Sequence, residues 1–138
     1  MRNLELARDH VHRAKVRLRA LDVLYRARSW ADVVRESQEI VELALKGLLR
    51  AFGVTPPRVH DVSDLLMAER ERLPLVLQNE IQILADASRE LRRDRELAFY
   101  GAEDLTPSSF YSKKDATAAR DSARRVVAIV APHVPAKR

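Results

Sequence analysis

Arginine and aromatic side chains concentrate in one stretch of the chain. Arg92, Arg93 and Arg95 are followed by Phe99 and Tyr100, and Phe110 and Tyr111 come after an intervening loop. Guanidinium groups hold phosphates by two parallel hydrogen bonds, and aromatic faces stack nucleobases, so this set suits a nucleotide or RNA phosphates. Those four aromatics are four of the seven in the chain, which makes the loop they flank the first candidate for a site. The competing reading is that they pin a loop to a helical core. Arg95 stands out by its phase. Leu77, Ile81, Leu84, Ser88, Leu91, Arg95 and Ala98 keep three-four helical spacing, and a guanidinium in an apolar row needs an acidic partner or a wet cleft. Glu36, Glu39 and Glu42 are candidate partners if the pairing is structural.

Other chemistries are thinly represented. The chain has no cysteine, so disulfides, thiol nucleophiles and cysteine-bearing metal sites are excluded. Three glycines cannot build a glycine-rich phosphate loop. The four histidines, His10, His12, His60 and His133, are dispersed. His10 and His12 are two apart, hence on different sides of a helix, and His60 reads as a helix-start residue, so no metal site and no cofactor is expected.

Charge is unevenly placed. Residues 1–28 hold eight basic side chains against Glu5, Asp9 and Asp22, which accounts for the whole net charge of +5. Such a face draws phosphates or an acidic partner, or is simply solvated. If this segment contributes to RNA binding, replacing Arg13, Arg17 and Arg28 with Ala is expected to flatten its salt dependence. No apolar run is long enough to span a bilayer, and the N-terminus lacks a signal-peptide core; a cytoplasmic protein with no membrane association is expected.

The elements that must position these residues are helices. Leu4, Ala7, Val11, Ala14, Leu18, Leu21 and Tyr25 form one stripe. Ser29-Trp-Ala-Asp32 reads as a capping-box variant opening a second helix, whose apolar face is two rows wide: Trp30, Val34, Val41, Ala44 and Leu48 beside Val33, Ile40 and Gly47. Gly53 and then Pro56-Pro57 stop it. A short helix follows, capped by His60 or Asp61. One helix is expected from about Leu75 to Tyr100, a loop from Gly101, and a last helix capped by Ser112 and Asp115, striped by Ala116, Ala119, Ala123, Val126 and Val130. Residues 133–138 read as a frayed tail. The expectation is a single all-α domain over 1–138, an up-and-down four-helix bundle with an additional short helix. The extra apolar width of the second helix predicts a homodimer.

In their order these signals resemble prokaryotic HEPN domains, small helical proteins often encoded beside minimal nucleotidyltransferases. ESQEIVELALKGLL is similar to the family's central helix, RVHDVSDLL to the start of its third helix, and RELAFYG to the Arg-x-x-Ala-x-Tyr-Gly segment that closes the fourth. The resemblance implies Arg95 and Tyr100 as the site pair, in a cleft between two subunits. Many HEPN ribonucleases place a histidine four to six residues after the arginine. Here Glu, Leu, Ala, Phe, Tyr100 and Gly101 follow Arg95, and the next histidine is His133. A tyrosine near pKa 10 is a poor general base at neutral pH. The sequence therefore points to a homodimeric binding module for nucleotide or RNA phosphates, or one paired with a minimal nucleotidyltransferase in a toxin–antitoxin-type system that would modify Tyr100. The alternative is a metal-independent HEPN ribonuclease with a degenerate site.

Overall fold

The computed structural model describes residues 3–100 and 110–136, with the side chains of residues 92–100 outside that description. Six α-helices lie wholly among the described residues: α1 (Leu4–Arg26), α2 (Trp30–Ala51), α3 (Ser63–Ala68), α4 (Leu75–Asn79), α5 (Ile81–Tyr100) and α6 (Lys113–Val130). Short 3-10 turns occupy Arg70–Arg72 and Ala131–His133, and no strand occurs among the described residues. The all-α class and the four long helices agree with the sequence.

Helix ends explain the boundaries. The Asn3 side chain accepts the Leu6 N–H at 3.1 Å and starts α1. Where α1 stops, the N–H groups of Arg28 and Ser29 return to the Tyr25 and Leu24 carbonyls, and Arg28 takes a left-handed conformation with φ 60°. This corrects the capping box expected at Ser29. Its N–H is consumed by the α1 terminus, and its hydroxyl donates to Asp32 Oδ2 at 2.6 Å instead of accepting from the α2 backbone. The same pattern closes α2, with Gly53 at φ 86° and Val54 N–H bonded to the Leu49 carbonyl. At α6 the Ser112–Asp115 box is complete in both directions.

The single helix expected from Leu75 to Tyr100 is divided in the structure. Glu80 leaves the helical path at φ −101°, ψ 2°, ending α4, although Leu77 and Ile81 on either side both stay buried. The apolar period therefore runs on through a break in the hydrogen-bond ladder.

α2 is the central helix, packed against α1, α5 and α6. Val33, Ile40, Leu45, Leu48 and Leu49 are fully buried by those neighbours. Three helices cover its two apolar rows within one chain, so the surplus width read as a dimer surface is already used. α1 comes close to α2 at Gly47. A Cβ there would stand 3.1 Å from the Ala7 carbonyl oxygen, 3.1 Å from Val11 Cγ2 and 3.2 Å from His10 Cβ.

His10, pressed against that contact, has a buried Nδ1 with no hydrogen-bond partner. Burial and the nearby charges of Arg50, Arg13 and Lys46 hold its pKa below the ordinary value, against an opposing pull from Asp9. The unfolded chain therefore binds its proton first, at about pH 6.5. This contribution to stability is complete above that pH and is lost as the pH falls through the lowered native value. Denaturant melts between pH 7.5 and 5 should show the decline, and His10→Gln should flatten it. An unchanged slope in that variant would assign the pH dependence elsewhere.

Candidate functional site

Long helices alternate in direction around α2. The ends of α1 and α5 therefore share one end of the bundle with the starts of α2 and α6. A direct contact marks that end: the Tyr25 hydroxyl and Thr117 Oγ1 share a hydrogen bond of 2.7 Å. α5 is helical to Tyr100, so it brings its last three turns, the segment bearing Arg92, Arg93 and Arg95, toward this end. The side chains of Arg92, Arg93, Arg95, Phe99 and Tyr100 lie outside the described residues.

The described side chains at this end form a cation–aromatic cluster. The Arg120 guanidinium lies 3.6 Å from the centroid of the Tyr25 ring. Trp30 meets the same ring edge-on, with centroids 5.2 Å apart, and Arg28 lies 5.7 Å over Trp30. One acid tethers the outer cations: Asp22 Oδ1 is 2.7 Å from Arg124 Nη2 and 3.8 Å from Arg120 Nη1. Cations on aromatic faces are held in fixed planes. Arg120 is itself largely buried, at 17% exposure, so the exposed Arg28 and Arg124 are the cations of the cluster that a phosphate can reach. The cluster holds no imidazole.

Sequence reasoning misses this cluster. Helical spacing places Tyr25 and Trp30 only in the core, and nothing in the sequence sets the register between α1 and α6 that lays Arg120 on Tyr25. Conversely, Tyr111, expected in the binding platform, is a core residue: it is 6% exposed and packs edge-on against Phe110 at 4.9 Å. Burial of its ring leaves no face for a ligand.

The glutamates considered as partners for Arg95 are placed as follows. Glu36 pairs with Arg17 at 3.1 Å. Glu42 bonds to His60 Nδ1 at 2.5 Å and lies 3.8 Å from Lys46 Nζ. Glu39 is half-buried on the same helix. His60 is therefore joined to α2 and does not cap the short helix. Asp61 takes the capping duty by accepting the Ser63 N–H at 2.9 Å, and its second partner, the buried Ser88 hydroxyl at 3.2 Å, also receives the Val62 N–H. Burial alone would raise the Asp61 carboxyl; hydrogen bonds from Ser63 and Ser88 and the charge of Arg89 outweigh it and hold the pKa below its ordinary value. His133 ends the turn after α6, whose 18 residues carry it about 27 Å from the aromatic end. Among the described residues no group of three His, Cys, Asp or Glu converges on a metal position.

Clefts lie along the helix seams. A 380 Å³ groove between α5 and α6 is lined by Asp86, Glu90 and Asp121 as well as Arg125, an unfavourable wall for phosphate. A smaller one, 310 Å³, lies between α1 and the C-terminal segment and is lined by Arg8, His12 and Lys15.

A family model of the HEPN domain matches residues 7–133. The chain belongs to the HEPN domain family. Among solved structures it is similar to TT1696 from Thermus thermophilus, at 26% identity over 92% of this chain and 97% of that one, with a TM-score of 0.75. No curated protein matches. In this HEPN domain Arg95 stands on α5, within the segment that resembles the family's Arg-x-x-Ala-x-Tyr-Gly. The histidine that family ribonucleases carry shortly after it is absent from the sequence, and the described histidines stand on α1, beside Glu42 and beyond α6. No described helix is long and apolar enough to cross a membrane.

Proposed function

We propose that this HEPN domain is a binding module rather than a nuclease. In this reading it works as a homodimer, on the strength of the family, often dimeric, and not of the α2 width, and takes nucleotide or RNA phosphates at the end of the bundle where α5 closes, or presents that end to a minimal nucleotidyltransferase. One observation carries the reading: the guanidinium of Arg120 is laid on the Tyr25 ring, at the end toward which α5 carries Arg92, Arg93 and Arg95. Cation-dense stacking surfaces bind phosphates and bases, whereas 2′-hydroxyl cleavage also needs a group that titrates near neutrality. The Tyr25 hydroxyl is engaged with Thr117.

The test uses labelled single-stranded RNA and ATP with purified protein. RNA should stay intact over hours, binding should be weak and salt-sensitive, and Arg95→Ala should weaken it about tenfold or more, the worth of one charge-assisted contact, without lowering the melting temperature. Metal-independent cleavage abolished by Arg95→Ala would establish the ribonuclease reading instead. Unchanged binding with a large drop in melting temperature would make Arg95 a structural ion-pair residue. Sedimentation at micromolar concentration tests the dimer, and a 15.7 kDa species would overturn it.

A further inference from the structure

α1 carries a second feature that the aromatic end does not use. Arg8, His12, Lys15, Arg19 and Arg26 are spaced by four, three, four and seven residues, which puts all five on one face of a straight helix. Along 18 residues that stripe is about 27 Å long. It is a different face from the one expected to bind. Arg17 is tied to Glu36, and Arg13 stands on the His10 side of the helix.

Three properties separate the stripe from an ordinary solvated face. First, its cations lack acidic partners: among the described residues no carboxylate pairs with His12, Lys15, Arg19 or Arg26, and Arg8 donates to the Pro135 carbonyl at 3.2 Å. Second, Glu5 and Asp9 flank the line only at its N-terminal end, and Asp22, farther along, is already held by Arg120 and Arg124, so the neighbouring helix adds two cations there. Third, the stripe does not run out into open surface at either end. Toward the α1 N-terminus it enters the 310 Å³ cleft, where Arg8, His12 and Lys15 face the apolar walls of Val11 and Val134, with Asp9 as the lone acid. Toward the C-terminus it reaches the Tyr25–Arg120–Trp30 cluster.

From this placement we infer that the α1 stripe is a track for the phosphate backbone of a single-stranded nucleic acid, running from the α1–tail cleft to the cation–aromatic end. A narrow row one helix wide follows one strand, whose charge repeats evenly. Val23, 59% exposed, stands in the row between Arg19 and Arg26, with Val16 beside it; two valines seven residues apart do not make the apolar centre that an acidic protein partner's interface would need. The inference rests on the reading of the aromatic end as a phosphate site, and extends it from one contact to a path.

The experiment measures the salt dependence of binding to a labelled 12-nucleotide oligo(U). Each phosphate neutralised on a single strand contributes about 0.7 to the slope of log affinity against log salt. The triple variant Lys15→Gln, Arg19→Gln, Arg26→Gln should therefore lower the slope by about 2 and weaken binding at least tenfold at low salt. A charge-matched control, Arg58→Gln, Arg70→Gln, Arg125→Gln, removes three exposed cations from other surfaces and should leave the slope nearly unchanged. Equal losses in the two triples would mean that net charge alone is sensed, and would overturn the track. So would unchanged binding in the α1 triple while Arg95→Ala loses binding, an outcome that leaves the proposed function standing. Failure of the wild-type protein to bind would overturn both. Polyglutamate bound with the same slope and the same sensitivity to the α1 triple would replace the nucleic acid by an acidic protein.

Discussion

Replacing Leu48 or Leu84 by Ala should destabilise the protein by about 2–5 kcal/mol. Both side chains are fully buried, one on the central helix and one on the helix that carries the candidate site, and both belong to a single core. The loss has two parts: the transfer free energy of the deleted methyls and the cavity left between helices that cannot close up. α2 is gripped by α1, α5 and α6 at once, so a hole at Leu48 cannot be filled by moving one neighbour without unpacking another. That puts Leu48 toward the upper part of the range. Leu75→Ala is the control. Leu75 is 70% exposed on the short α4, and its truncation should cost within about 0.5 kcal/mol. Urea melts with an unchanged slope would read these differences directly. Equal, small losses at all three positions would mean that the packing around α2 is wrong.

Much of the helical architecture is legible in the sequence because it depends on local period. Most residues of the α1, α2 and α6 stripes predicted from spacing are buried, from Ala7 and Val11 to Val126 and Val130, while Leu4 is exposed and Leu18, Tyr25 and Trp30 are partly buried. Ser112–Asp115 is readable for the same reason: a cap needs only residues three apart. What local reading misses involves competition or distance. Ser29 and Asp32 have the right spacing for a cap, yet the Ser29 N–H has a rival acceptor in Leu24, which belongs to the previous helix. The break at Glu80 hides beneath an uninterrupted apolar row. At the candidate site, the arginines of α5 are visible as an irregularity in that row. Arg120 on Tyr25, 95 positions apart in sequence, depends on how α6 docks beside α1. Tyr111 looks like part of a platform because it neighbours Phe110, and neighbours in sequence beside a helix start face different ways. One of them is exposed and the other is in the core.

The position that joins core and surface is Gly47, and its substitutions should separate sharply by size. In mid-helix, glycine costs about 1 kcal/mol relative to alanine, so a glycine there needs a reason. Here the reason is contact: the Ala7 carbonyl, Val11 and His10 leave space for a hydrogen atom and only barely for a methyl group. In Gly47→Ala the helix gains its usual propensity while the α1 backbone must yield by a few tenths of an ångström. The two effects are of similar size, and the net change should stay within about 1 kcal/mol. A longer side chain has nowhere to go. Gly47→Leu would drive α1 away from α2 and should cost about 3 kcal/mol or more, the upper range of overpacked cores. Because the basic stripe and the Tyr25 cluster both ride on α1, the same variant should weaken RNA binding beyond the level set by its folded fraction, while Gly47→Ala keeps wild-type binding. Urea melts and the oligo(U) titration on the same preparations read both effects. If Gly47→Leu is as stable as Gly47→Ala, the close approach of the two helices at this position is incorrect.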